Sequence, residues 1–277
     1  MIELLAPAGS EECFFAAVNN GADAVYLGLS SFSARKNAAN FNEENIGYFV
    51  SYAHTVGVKV YVALNTIVKD GELSDFIKTA GVALSAGADA LIIQDIFLGK
   101  VLKEVYPDCI IHLSTQAGIN NPDGAKLAKE YGFSRVILAR ETEIGEIKKI
   151  AEEVETEIFV HGALCSSFSG HCYLSSFIGE NSGNRGLCKQ PCRKKYTIET
   201  KTSGGEYSFS LSDLNLEDKI DEIVSSGVAS IKIEGRMRTK EYVAAAVRLY
   251  RNAIDKKTTD LSEIRRTYNR GNYTKGY

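Results

Sequence analysis

Proline is scarce in this chain, with 4 residues in 277, and no low-complexity tract accompanies it, so long disordered segments are excluded. No stretch approaches the roughly 18 consecutive apolar residues that cross a bilayer, so no membrane partner is expected. The N-terminus, Met-Ile-Glu-Leu-Leu-Ala-Pro-Ala-Gly, lacks a basic stretch followed by an apolar core, and the expectation is a cytoplasmic protein without a signal peptide. Positive charge is not in surplus: 32 Lys and Arg face 35 Asp and Glu, for a net charge of -3. That excludes a globally basic nucleic-acid binder and leaves room for a local basic patch. No Gly-rich phosphate loop, no G-x-S-x-G turn and no H-E-x-x-H pair occurs, so neither a nucleotide cofactor, a serine hydrolase nor a zincin is indicated.

What is present is a regular alternation. Short, nearly continuous apolar runs at 2–6, 24–29, 58–64, 90–94, 109–113, 135–139, 157–160 and 229–233 read as strands buried on both faces. Segments with helical spacing lie between them, at 11–20, 42–56 and 73–86, and 239–256 follows the last run. The phrases Asn-Gly-Ala-Asp-Ala-Val at 20–25, Ala-Gly-Ala-Asp-Ala-Leu at 86–91 and Ser-Gly-Val-Ala-Ser-Ile at 226–231 each place a glycine where a helix ends and a strand begins. Eight βα units with right-handed crossovers predict an α/β fold, a (β/α)8 TIM-like barrel, with an open doubly wound sheet as the alternative. The barrel is assigned to residues 1–256. Between strand seven and strand eight the spacing opens, and 162–228 is read as a cysteine-rich insertion at the C-terminal end of the barrel, where active sites of this fold are built. Residues 257–277 read as a C-terminal extension with the character of a linker.

Six cysteines in a reducing compartment are not a disulfide framework. Cys13 and Cys109 stand alone, while Cys165, Cys172, Cys188 and Cys192 follow C-x(6)-C-x(15)-C-x(3)-C. Four thiolates in one loop-rich segment suit a 4Fe-4S cluster or a tetrahedral zinc. Only the second pair is tight, which ranks the cluster first and zinc second; His171 or His161 replacing a cysteine, or four packed thiols, are the further alternatives. Arg185, Lys189, Arg193, Lys194 and Lys195 make the window basic, suited to RNA phosphates or a substrate carboxylate. Residues just after the strands converge in a barrel, and these include Asn65, Gln116, Arg140, Glu141, His161, Glu234 and Arg236. Arg140 and Arg236 suit a bidentate clamp on an anion, and Glu141, His161 and Glu234 are the acid–base candidates. Ion pairs at the barrel rim are the bland reading of the same residues.

Residues 157–175, Glu-Ile-Phe-Val-His-Gly-Ala-Leu-Cys-Ser-Ser-Phe-Ser-Gly-His-Cys-Tyr-Leu-Ser, match the pattern E-x-F-x(2)-G-[SA]-[LIVM]-C-x(4)-G-x-C-x-[LIVM]-S at every fixed position. With Leu-Leu-Ala-Pro-Ala-Gly at 4–9, Asn-Arg-Gly-Leu-Cys-Lys-Gln-Pro-Cys-Arg at 184–193 and Ile-Lys-Ile-Glu-Gly-Arg at 231–236, the chain resembles the collagenase-like peptidases of family U32 over essentially its whole length. It resembles most the branch that forms 5-hydroxyuridine in tRNA without molecular oxygen. The resemblance implies a 4Fe-4S cluster on Cys165, Cys172, Cys188 and Cys192, tRNA as partner, and prephenate as co-substrate. Under this reading the strand-end residues Arg140, Arg236, Asn65 and Gln116, with Arg193 of the basic window, are the expected substrate-binding residues, and Glu234, His161 and Glu141 the expected catalytic ones. A peptidase activity, as the family name says, or service as a cluster-bearing subunit of a hydroxylation complex are the alternatives. Relatives continue into a β-rich domain, so 257–277 is expected to be the linker to a domain missing or absent here, and a homo-oligomer or an assembly with a paralogous chain is expected.

Overall fold

The computed structural model of the protein describes residues 2–36, 38–197, 206–267 and 269–276. The apolar runs become strands because both their faces are covered. Strands β1 (Glu3–Pro7), β2 (Ala24–Gly28), β3 (Lys59–Leu64), β4 (Ala90–Ile93), β5 (Ile111–Leu113), β6 (Arg135–Ile137) and β7 (Glu155–Ala163) pair in parallel and in chain order. A short strand β8 (Asp213–Asn215) follows, and then β9 (Ser230–Ile233), which pairs in parallel with both β7 and β1 and closes the ring. The result is a closed eight-stranded parallel (β/α)8 barrel, not an open sheet. β8 was not expected. It runs antiparallel to the end of β7, with His161–Ala163 opposite it, and lies outside the ring.

Outside the ring lie helices α1 (Glu11–Val18), α2 (Ile46–Thr55), α3 (Leu73–Ser85), α4 (Ile96–Val105), α5 (Pro122–Glu130) and α6 (Ile144–Ala151). After these come α7 (Leu174–Gly179) within the cysteine segment, α8 (Ile220–Ser225), α9 (Lys240–Ile254) and α10 (Ser262–Arg266). Several start on side-chain caps: the Ser10 hydroxyl accepts from Cys13 N–H, the Asp95 carboxylate from Phe97 and Leu98 N–H, and Asn121 Oδ1 from Gly124 N–H. Each satisfies amide donors that the first helical turn leaves unpaired. The main apolar core fills the space between strands and helices, from Leu4, Phe14 and Leu27 round to Val243. A second, smaller core inside the ring comprises Leu5, Tyr26, Tyr61, Ile92, Ile137 and Phe159 among others.

Below that inner core the barrel holds charge. Glu157 is fully buried and accepts from Arg135 Nη1 at 3.1 Å and from Lys232 Nζ at 2.8 Å. Arg135 Nη1 also reaches Glu3 at 2.6 Å, Arg135 Nε reaches Glu155 at 3.0 Å, and the Tyr61 hydroxyl donates to Glu3 at 2.7 Å. Strands β1, β3, β6, β7 and β9 are thereby joined across the interior.

The C-terminal segment returns to the barrel. Thr274 N–H donates to Asp213 O at 2.9 Å, Asn215 N–H donates to Thr274 O at 3.0 Å, and Arg270 Nη1 reaches the Asp213 carboxylate at 2.8 Å. These residues pack back on β8, because Asp213 is a buried carboxylate that needs cations and Arg238 and Arg270 both supply them.

Removing one partner of a buried ion pair strands the others without water. Glu157→Gln is therefore expected to destabilise the fold by about 3 kcal/mol. Urea unfolding followed by far-ultraviolet circular dichroism checks this, and an unchanged midpoint would show that Glu157 does not hold the ring together.

Candidate active site

At the C-terminal end of the barrel lies a cavity of about 830 Å³. Its floor is the upper part of the inner core, with Tyr26, Ile92, Ile137, Phe159 and Lys232, and its roof is the cysteine segment. The strand-end residues Asn65, Gln116, Arg140, Glu141, Glu234 and Arg236 all line it, as do Arg193 and the four cysteines.

Side chains alternate along a strand, so Lys232 in β9 and Glu234 just beyond it both turn toward the ring interior. Glu234 Oε1 accepts from Arg35 Nη2 at 3.2 Å and Oε2 from Arg140 Nη2 at 3.1 Å. Burial alone would raise the Glu234 pKa, but the guanidiniums of Arg35, Arg140 and Arg236 outweigh it and hold it at about 2. Glu234 is thus a fixed anion near neutral pH, a poor match to the proton-transfer role expected of it. Arg140 lies over Phe159, its guanidinium carbon 4.2 Å from the ring centroid, and its buried Nε has no hydrogen-bond partner. Arg35, which follows β2, escaped sequence reasoning because it sits in no motif. Lys232 and Glu234 were readable in principle from their period-two spacing in Ile-Lys-Ile-Glu-Gly-Arg.

Arg236 differs from the exposed rim arginine that the strand-end reading implies. It is 4% exposed, and its Nη1 has no hydrogen-bond partner. Burial and the nearby Arg35 lower its pKa to about 10. The side chain lies against Gly28, where a Cβ would fall 2.2 Å from Nη1 and 3.0 Å from Asn40 Oδ1, itself unpartnered. Only glycine leaves that space. A buried guanidinium with an open donor, near one carboxylate already shared by two other arginines, is suited to an anion.

Other expected site residues are spent on holding the roof. Glu141 accepts from Ser169 N–H at 2.9 Å and from its hydroxyl at 3.0 Å, and Arg140 N–H donates to that same hydroxyl at 3.2 Å. Gly170, at φ +79°, lies so close to Gln116 that a Cβ would stand 1.8 Å from its carbonyl oxygen. This explains the fixed glycine of the C-x(4)-G-x-C pattern. Asn65 Nδ2 donates to Gln116 Oε1 at 3.2 Å, and its Oδ1 accepts from Ala34 N–H at 3.1 Å. Arg193 donates to the Ser210 hydroxyl at 2.8 Å and to the carbonyls of Leu211 and Leu164, so it clasps two loops together.

His161 does not reach the cavity. Phe159 pairs with Lys232, but the next partner in register, Ile233, stands opposite His161, so Val160 is an extra residue. A bulge of this kind reverses the alternation, and His161 points outward with Ile233. It is buried among Tyr242, Tyr250 and Tyr273, with Nε2 unpartnered and Nδ1 3.5 Å from the Tyr250 hydroxyl. Burial lowers its pKa to about 4. Its expected catalytic role is replaced by a structural one.

Cys165, Cys172, Cys188 and Cys192 all line the cavity wall, while Cys13 and Cys109 are buried elsewhere in the main core. Burial pushes the Cys188 thiol up, and the neighbouring Cys192 and Cys172 push it the same way. Among the described residues, no three His, Cys, Asp or Glu side chains stand close enough to hold a metal ion as placed. The donor chemistry nevertheless fits a thiophilic metal group: four soft ligands face one space.

The sequence model of peptidase family U32 matches residues 9–277. The chain belongs to this family. It is 40% identical over 270 residues to a tRNA hydroxylation protein of Bacillus subtilis (strain 168), covering 91% of this chain and 63% of that one. It is 37% identical over 260 residues to a 23S rRNA 5-hydroxycytidine synthase of Escherichia coli (strain K12), covering 92% of this chain and 39% of that one. The chain thus spans under two thirds of the length of these U32 relatives. A solved U32 peptidase structure shares the fold with a TM-score of 0.55, at 14% identity over 85% of this chain and 94% of that one. Among the described residues, no helix is long and apolar enough to cross a membrane.

A histidine held neutral stabilises the fold fully above its unfolded pKa of about 6.5, and that contribution disappears as pH falls through its folded value of about 4. His161→Phe removes the titration while keeping a ring among the tyrosines. The wild-type protein is expected to lose on the order of 3 kcal/mol relative to this variant between pH 7 and pH 4. Parallel pH dependence of the two unfolding free energies would show that His161 is not held neutral.

Proposed function

We propose that this chain forms the barrel of an oxygen-independent RNA hydroxylase that makes 5-hydroxyuridine in tRNA. Cys165, Cys172, Cys188 and Cys192 would hold a 4Fe-4S cluster, and an anionic co-substrate such as prephenate would bind beside Arg236. One observation carries this reading: four cysteines and a cation-rich pocket share a single cavity at the end of a barrel. The relatives named for tRNA hydroxylation and for 5-hydroxycytidine synthesis support an RNA substrate.

When bound, the cluster would supply one-electron chemistry next to the substrate. The residues of the chain itself have separable tasks. Glu234 neutralises and orients Arg35 and Arg140, leaving the Arg236 donor for a carboxylate of the co-substrate. Phe159, Ile92 and Ile137 make the floor dry, which strengthens those contacts. Glu141 and Gly170 fix the cysteine roof over the pocket. A peptidase using a cysteine nucleophile needs a histidine base beside it; His161 is packed outside the cavity, and His171, next to Cys172 in sequence, is the histidine that lines it.

Two measurements test the proposal. Anaerobically purified wild-type protein should contain iron and absorb broadly in the visible, and Cys188→Ser should lose both. Nucleoside mass spectrometry of tRNA should show 5-hydroxyuridine absent from a deletion strain and restored by the wild-type gene. Arg236→Lys, which keeps charge and loses the planar fork, should lower the restored level at least about tenfold. Unchanged 5-hydroxyuridine in the deletion strain would refute the assignment.

A further inference from the structure

Large apolar side chains left in solvent crowd the mouth of the cavity. Phe168 is 70% exposed, Tyr173 56%, Phe177 88% and Phe209 56%, and all but Phe177 line the cavity as well. The short helix α7 turns Phe177 and Ile178 outward on the same rim. Exposed apolar groups gathered in one place mark a binding surface.

The charge around them indicates what binds. From residue 162 to residue 197 the chain carries five Lys and Arg and a single carboxylate, Glu180, in a protein of net charge -3. Arg185 is engaged with Glu72, and Arg193 with backbone carbonyls. Lys189, Lys194 and Lys195 are exposed and form no ion pair among the described residues. Aromatic faces interleaved with unpaired lysines suit single-stranded nucleic acid, whose bases stack on the rings and whose phosphates meet the ammonium groups. An apolar protein surface would meet three cations without a described carboxylate partner there, Lys195 with its Nζ 5.5 Å from the Tyr207 ring centroid, and desolvating them is unfavourable.

We infer that this rim grips a single-stranded stretch of RNA, with Phe177 as the wedge that fills the gap left in the stack when one nucleotide enters the cavity. The inference rests on the RNA reading above and adds the surface that executes it. Tyr173 and Phe168 take neighbouring bases, and Lys189, Lys194 and Lys195 take the backbone. The wedge and the cysteine roof are one mechanical piece, because the buried Ser175 hydroxyl in α7 accepts from Lys189 N–H at 3.0 Å, next to Cys188. Ser175 is the last fixed residue of the family pattern.

The test is fluorescence anisotropy of the full chain with unmodified tRNA and with a labelled single-stranded oligouridine. Phe177→Ala should weaken binding about tenfold to a hundredfold, and Phe177→Tyr, which keeps the ring, should bind like wild type. Lys194→Ala combined with Lys195→Ala should flatten the slope of log affinity against log salt by about 1 to 1.5. Both sets should keep the wild-type melting temperature, since the side chains are exposed. Wild-type affinity in Phe177→Ala would overturn the wedge while leaving the RNA reading in place. Conversion of a dimer to a monomer by Phe177→Ala, with RNA affinity unchanged, would assign the rim to a second copy and overturn it too. A wild-type chain that binds neither RNA would overturn the RNA reading itself.

Discussion

A carboxylate sealed from water governs the inside of this barrel. Glu157 has no solvent to solvate its charge, so Arg135 and Lys232 must both be in place, and Arg135 must in turn meet Glu3 and Glu155. Many barrels fill this volume with branched apolar layers. Here the ionic layer pins β1, β6, β7 and β9, the strands between which the ring closes. It also fixes the height of Lys232, whose ammonium lies 4.3 Å from the Tyr26 ring centroid and 5.6 Å from that of Phe159. The cavity floor is therefore apolar on its surface and cationic immediately beneath.

Two ionic groups stacked along one barrel serve different ends. In the lower one each cation has a carboxylate, and the arrangement is saturated. In the upper one Glu234 is the anion for Arg35 and Arg140, and Arg236 is left over. A saturated network rigidifies, whereas an unsaturated one at the same depth carries an unmet demand for negative charge. The difference arises on a single strand end, between Lys232, whose partner lies below, and Arg236, whose Nη1 lies against Gly28 without a hydrogen-bond partner.

The barrel was legible because buried parallel strands write themselves as continuous apolar runs, and all eight ring strands fall on such runs. The cysteine segment over the C-terminal face was legible from the one irregular spacing. β8 was not, because three residues, Asp-Leu-Asn, are too few to establish a period and pair with the end of β7. The packing of the C-terminal residues was not legible for a similar reason: Gly, Asn and Tyr give no period, and their contacts run to the buried Asp213. Strand ends identified which residues converge, but not which would be consumed by each other. Arg193 and Glu141 turned out to be fasteners, and Arg35 arrived from a loop of no evident pattern.

The bulge at Val160 gives the family pattern a meaning as arithmetic. Counting in twos from Glu157 passes through Phe159 and should reach residue 161 on the inner face. The extra residue spends one count, so Val160 and His161 both fall outside. The x(2) between the fixed Phe159 and Gly162 is thus a parity setting. Without the bulge, plain alternation over the same two residues would carry His161 indoors. The gap of two, where the pattern names no residue at all, is as much a part of the site as the letters on either side.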